Sequence, residues 1–343
     1  MLMKENVDLS SLSGLCKSIS FAGSYIGTMP LVPTIDEYKL KKYRAISVRL
    51  AAYKEFEIPK KSGETRKILA PSGELKQLMS VLNFILNAIY TPTDSAMGFV
   101  CERSVLTNAN HHLNQNYVLN LDLSDFFPSI SSHKVESSLV AEGVSPLVAS
   151  LISTICTFPR REEDHYVQVL PQGAPTSPVL SNICCRSLDK QLTGLADRFH
   201  LNYTRYADDI TFSSNHNVYQ ADGEFWQELK RIIAAHNFIL NEKKTRLQKR
   251  GSRQEVTGVT VGVKANVSRT YIKNLRAMIH NLASIPLTNH FLNVVRGKLN
   301  YLRMIKGADD STYRTLCIKF NAAIKGRVPK KRKKRRKIIQ KKS

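Results

Sequence analysis

Apolar positions along the chain repeat with two different periods, and the switches between them mark the elements. Leu75, Leu78, Met79, Leu82, Ile85, Leu86 and Ile89 recur every three or four residues, which predicts a helix with one buried face. From Tyr117 the period falls to two: Tyr117, Leu119, Leu121 and Leu123 face one way and Asn120 and Asp122 the other, as in a strand covered on one side. A Gly/Pro-rich loop then leads to Ser177-Pro178, which reads as the N-cap and first residue of a long helix carrying Leu180, Ile183, Leu188, Leu192 and Leu195. Asn202 to Ser214 reads as two short strands joined tightly at Asp208-Asp209. Phe225, Leu229, Ile232 and Ile233 predict another amphipathic helix, and the β-branched run from Glu255 to Val263 predicts a strand pair. From Arg269 to about Lys325 the pattern is helical.

Upstream, Phe56 to Ala70 reads as a hairpin around the turn signal Lys61-Ser62-Gly63-Glu64. The first fifty residues are less regular. Ser10 to Tyr25 is mixed, while Asp36 to Tyr53 has helical character with Tyr38, Ile46, Val48 and Leu50 as candidate core positions. No internal repeat occurs, and no linker is long enough to isolate a second enzymatic domain.

Composition adds a partner to this picture. With 42% hydrophobic residues the chain is a packed globular protein, yet 51 Lys and Arg oppose 28 acidic residues, for a formal charge of +23. Twelve of the basic residues lie from Lys325 to Ser343, where no acid occurs, so the body keeps about +11. A basic body as well as a basic tail implies a polyanionic partner held in a channel. The tail has almost nothing apolar to bury and is expected to be disordered without its partner. The six cysteines form neither a CxxC pair nor a zinc-type spacing, which suits buried thiols in a reducing compartment. No apolar run approaches the roughly 20 residues that span a bilayer, and none follows Lys4 and Glu5 as a signal peptide would. A cytoplasmic protein with no membrane partner is the expectation.

Three features carry chemistry together: an acid near the end of a one-sided strand, a Gly/Pro loop opening a helix, and paired acids at a hairpin turn. Phosphoryl transfer to a hydroxyl uses divalent ions about 3.5 to 4 Å apart, so carboxylates must converge from separate strands. Magnesium takes few protein carboxylates besides substrate oxygens, so two or three aspartates suffice. Asp122 and Asp208, 86 positions apart, are placed for this.

These segments resemble the motifs of reverse transcriptases. Leu121-Asp122-Leu123-Ser124-Asp125-Phe126-Phe127 resembles motif A, Leu170-Pro171-Gln172-Gly173-Ala174-Pro175-Thr176-Ser177-Pro178 motif B, Tyr206-Ala207-Asp208-Asp209 motif C, and Leu240-Asn241-Glu242-Lys243-Lys244-Thr245 motif D, in the family's order. The resemblance implies an α+β right-hand polymerase. Its fingers would span 54–115 with parts of 130–175, its antiparallel-sheet palm 116–263 and its helical thumb 264–324, after a helical region at 1–53 and before the tail at 325–343.

It also implies roles. Asp122 and Asp208 would ligate two Mg2+ ions, with Asp209 as a weaker ligand and the Leu123 carbonyl completing one site. Phe127 would gate the sugar against a 2′-hydroxyl, so that dNTPs are preferred. Gln172 and Gly173 would contact template and incoming nucleotide, and Lys60, Lys61, Arg66 and Lys67, Arg66 foremost, would grip the triphosphate. Lys243 or Lys244 would protonate the leaving pyrophosphate; the sequence leaves the choice open.

Asn108-Ala109-Asn110-His111-His112 before motif A and Val256-Thr257-Gly258 after motif D resemble segments of retron reverse transcriptases. Membership there implies a cognate structured non-coding RNA, DNA started on an internal guanosine 2′-hydroxyl, an RNA-linked DNA product, and a separate effector protein in antiphage defence. RNA contacts would fall to Asn108, His112, Lys264, Arg269, Tyr271, Lys273, Arg276, Arg296, Lys298, Tyr301 and Arg303, and to Lys330 and Arg332 of the tail. Two other readings stay open: a non-retron bacterial reverse transcriptase, defence-associated or intron-derived, and a non-catalytic RNA-binding scaffold on the same fold.

Overall fold

The computed structural model describes residues 5–27, 35–59, 63, 65–282 and 284–325. Lys60, Lys61, Lys330 and Arg332 lie outside them.

The chain opens with helix α1 (Leu12–Tyr25), whose Leu12, Leu15, Ile19 and Ala22 are buried at helical spacing. The polar residues between them hid this helix in the sequence; Ser11 caps it by accepting from the Gly14 N–H. Asp36 to Tyr53 is not one helix but α2 (Glu37–Lys41), a 3₁₀ turn and α3 (Ile46–Ala51). The inward positions are Leu40, Tyr43 and Arg49, while Tyr38, expected in the core, is 83% exposed. Strands β1 (Tyr53–Pro59) and β2 (Thr65–Pro71) form the expected antiparallel hairpin. Helix α4 (Gly73–Ile89) follows, its predicted stripe buried except for half-buried Ile89.

After a short helix α5 (Val105–Asn110), β3 (Tyr117–Ser124) forms the middle of the main sheet. It is covered on both faces rather than one, because Val118 is also fully buried. Helices α6 (Ser132–Ala141) and α7 (Pro146–Cys156) and the hairpin β4 (Phe158–Glu162) and β5 (His165–Val169) precede the long helix α8 (Ser177–Arg198). Ser177 does not cap α8. The cap position belongs to Thr176, and the Ser177 hydroxyl instead donates to the Pro171 carbonyl at 2.7 Å, tying the preceding loop shut.

Strands β6 (Asn202–Tyr206) and β7 (Asp209–Ser214) then pair antiparallel, and β7 lies along β3. Helix α9 (Glu224–Ala235) crosses to β8 (Ile239–Leu240) and β9 (Arg246–Lys249), which share the other edge of β3. The result is an antiparallel sheet in the order β6-β7-β3-β8, with β9 also on β3. A small hairpin, β10 (Gln254–Val256) and β11 (Val259–Val261), leads to helices α10 (Arg269–Asn281), α11 (Asn289–Lys306) and α12 (Ser311–Ile324).

Two apolar cores divide the molecule. One runs from Leu9 to Phe238 and packs helices α1, α4 and α6 to α9 against the sheet. The other joins the three last helices to Val256, Val259 and Val261 and to two residues far upstream, Ala109 and Val118. Among the described residues no helix is long and apolar enough to cross a membrane.

Candidate active site

The three aspartates meet because the sheet register brings them together. Asp122 on β3 is the direct cross-strand partner of Asp209 on β7. Cβ atoms of such partners lie about 4.5 to 5.5 Å apart, close enough for their carboxylates to share an ion pair. Asp208 sits in the turn between β6 and β7, where its carbonyl accepts the Leu123 N–H at 3.1 Å. That bond pins the turn against the end of β3.

The tight turn has a cost and a support. Ala207 adopts φ 58°, which an L-residue rarely takes. Behind it, Gly98 comes so close that a Cβ there would stand 2.6 Å from the Ala207 nitrogen, so only glycine fits. The adjoining strand is riveted to helix α8 by a buried pair: Arg205 donates to both oxygens of Asp189, each at 2.7 Å, and to Asn182 and the Ala207 carbonyl, each at 3.2 Å. Sequence reading passed over Gly98, Arg205 and Asp189. A charged residue at an inward strand position was the available signal.

The electrostatics are those of a cation site. Partial desolvation in the cleft, and the charges of Asp208 and Asp122 beside it, push the Asp209 pKa up to about 6. Asp208 is raised as well, first by burial. The Lys244 ammonium donates to both oxygens of Asp122, at 2.9 and 3.0 Å, and this hydrogen bonding raises its own pKa. A positive group thus already stands where carboxylates converge, which is the behaviour expected of residues that fit a metal ion. Among the described residues no closed cage of three acidic, His or Cys ligands exists. Magnesium does not need one, since substrate phosphates and water supply the remaining oxygens. Of the two motif D lysines, Lys244 touches an aspartate; Lys243 lines the same cleft and is exposed.

Around this centre the other candidate residues fall as follows. Leu123 is buried and pairs with Leu240. The half-buried Phe127 ring lies 5.3 Å from Phe126 and 6.2 Å from Phe99. The Gln172 carbonyl accepts the Leu69 N–H at 2.9 Å, docking the motif B loop on β2. Gly173, at φ 131°, lies so near β2 that a Cβ would meet Ile68 at 2.8 Å. Exposed Arg66, on the same strand, makes its charge felt at Asp208.

Two expected RNA contacts are not at the surface. His112 is fully buried, with Nδ1 2.7 Å from the Ser213 hydroxyl and Nε2 2.7 Å from that of Thr204. Both ring nitrogens are engaged inside the protein, and burial lowers its pKa to about 3. Asn108, also buried, donates to the Thr257 hydroxyl at 3.2 Å. The Thr257-Gly258 turn has φ 45° and 84°, and a β-branched residue there is strained. Asn108 and His112 are therefore internal braces: one holds that turn, the other bolts the segment to β6 and β7. Lys264, Arg269, Lys273, Arg276, Arg296 and Arg303 are exposed. Tyr271 and Tyr301 are half-buried against each other, 5.4 Å between rings, and the Tyr271 hydroxyl donates to the Lys298 carbonyl at 2.7 Å.

An antiparallel sheet on which three aspartates converge defines a nucleic-acid polymerase palm. A model of the reverse transcriptase (RNA-dependent DNA polymerase) family matches residues 58–262, more than half of the chain, and the chain belongs to that family.

Within it, the chain is a member of the retron group. It is 33% identical over 278 residues to the retron Ec86 reverse transcriptase of Escherichia coli, covering 77% of this chain and 79% of that protein. It is 37% identical over 271 residues to the retron Mx65 reverse transcriptase of Myxococcus xanthus, covering 75% of this chain and 62% of that one. Among solved structures, telomerase from Candida albicans with a fragment of telomeric RNA aligns at TM-score 0.48 and 11% identity, over 80% of this chain and 56% of that one.

Proposed function

We propose that the chain is the RNA-directed DNA polymerase of a retron, copying part of a cognate structured RNA into DNA that remains joined to it. The observation that carries this reading is the cross-strand pairing of Asp122 with Asp209, with Asp208 fastened beside them. Bound there by Asp122, Asp208, Asp209 and the Leu123 carbonyl, two Mg2+ ions would lower the pKa of the attacking hydroxyl and neutralise the triphosphate. Arg66 and Lys60 would hold the triphosphate from the fingers, and Gln172 and Gly173 would shape the floor under the nascent pair. Phe127 would exclude a ribose 2′-hydroxyl. The contact of Lys244 with Asp122 supports it, rather than Lys243, as the proton donor to pyrophosphate.

Exposed Lys264, Arg269, Arg276, Arg296 and Arg303 on the helical thumb suit the phosphates of a folded RNA, and Lys330 and Arg332 would add affinity without sequence preference. The retron setting brings the remaining proposals: priming from a guanosine 2′-hydroxyl, a separate effector protein, antiphage defence and a cytoplasmic location. The intact aspartate set disfavours a non-catalytic scaffold. A non-retron bacterial enzyme would lack the branched product.

The test incubates purified protein with its co-expressed RNA, dNTPs and magnesium. Asp208→Asn with Asp209→Asn should lower DNA synthesis by more than about 100-fold, the least expected when metal ligands rather than their supporting groups are lost. Undiminished synthesis by the double variant sinks the assignment, and a product that a debranching enzyme fails to release sinks the retron part alone.

A further inference from the structure

One row of the sheet lies beside the aspartates and has no role in the scheme above. Arg246 on β9 is the cross-strand partner of Asn120 on β3, and Asn120 is the partner of Thr211 on β7. The neighbouring row is Asp122 opposite Asp209, about 7 Å along the strands at the ordinary strand rise. Residues two apart leave the same face of a strand, so both rows look into one space. That space is a cleft of about 480 Å³, which Thr257 and Gly258 close at the side of the β10–β11 hairpin.

The three residues of the row differ in what they have free. The Asn120 amide donates to the Glu255 carbonyl at 2.7 Å, and its oxygen accepts from the Thr211 hydroxyl at 3.4 Å, so both form a fixed floor. Arg246 is exposed, and among the described residues no ion pair or side-chain hydrogen bond engages its guanidinium. Lys244, by contrast, is held on Asp122. A rigid floor with one unengaged planar cation suits a phosphodiester, which a guanidinium binds with two parallel N–H bonds.

Two phosphate groups approach such a centre: the incoming triphosphate and the backbone of the strand bearing the attacking hydroxyl. Arg66 stands on β2, which holds the motif B loop, whereas Arg246 stands on β9, on the side of β3 away from β7 and in the strand that leads to the β10–β11 hairpin. The two cations thus come from separate elements, and the triphosphate is assigned to the fingers side. We propose that Arg246 is a positioning residue that holds the phosphodiester immediately upstream of the attacking hydroxyl. This rests on the polymerase reading.

The experiment uses the full chain and an annealed RNA template with a DNA primer of defined sequence. Binding is read by fluorescence anisotropy across a salt series, and dNTP dependence by single-turnover extension. Arg246→Gln should weaken template–primer binding by about tenfold and reduce the salt slope by about one, as for a single lost phosphate contact. The KM for dNTP should stay within about twofold, and Arg246→Lys should recover most of the salt slope. A raised KM for dNTP with unchanged primer affinity would overturn the placement, as would no change in either quantity. Should the parent bind template and primer yet extend it no better than Asp208→Asn, the polymerase reading fails. The loss of salt slope in Arg246→Gln would still uphold the phosphate contact.

Discussion

Single side chains carry two proposed features of the site. The Phe127 ring packs beside Phe126 and Phe99. As the proposed gate it would reject an extra hydroxyl by clash, so Phe127→Ala should improve the kcat/KM for ribonucleotides relative to dNTPs by about tenfold or more, measured in paired single-nucleotide extensions. Lys244 and Lys243 are neighbours in sequence but not in chemistry, because only the first reaches Asp122. Lys244→Ala is expected to lower the single-turnover rate by about 100-fold, the ordinary contribution of a general acid, and Lys243→Ala by far less. Equal losses in the two would leave the proton donor unassigned to Lys244. The aspartates themselves were legible in the sequence, since motif C and the period-two run toward Asp122 point to them directly. Gly98 and Arg246 were not, because their meaning comes from what packs against them, the Ala207 turn for one and the Asn120 row for the other.

At the level of elements, the segment from Asn108 to His112 shows how a motif can be read correctly as a landmark and wrongly as a contact. Its side chains looked like RNA ligands, but α5 tucks under the sheet, and the His112 ring bridges β6 and β7 through Thr204 and Ser213. The consequence is a pH dependence. The buried ring has its pKa lowered to about 3 from an ordinary 6.5. Above 6.5 neither folded nor unfolded chain protonates it, and its contribution to stability is complete. As the pH falls from 6.5 toward 3 the unfolded chain takes up the proton and the folded chain does not, so stability drops by about 1.4 kcal/mol per pH unit from this group. Urea midpoints at pH 7 and pH 5 should therefore differ more in the parent than in His112→Gln; equal differences would contradict the burial. Elements with strong periodicity, such as α4 and α9, were read correctly. Helix α1 was missed because serines and glycines interrupt its stripe, and the stretch of α2 and α3 was misread because its inward positions include Arg49.

Over the whole sequence, positive charge gathers at one end. Residues 326–343 hold eleven of the 51 basic side chains. A chain ending at Lys325 should extend a short primer at low salt as the parent does, while the salt dependence of RNA binding becomes shallower. A large loss of low-salt activity on that primer would show that the tail serves the reaction. The polymerase fold was legible from the motifs, whereas the second core was not. Nothing in the one-dimensional pattern links Val118, four residues before Asp122, with Phe320 near the other end of the chain. That link has a mechanical outcome. A pull on the last three helices would be carried through these apolar contacts to Val118, at the root of the strand that bears Asp122, so a taut template would tug on the sheet that presents the aspartates.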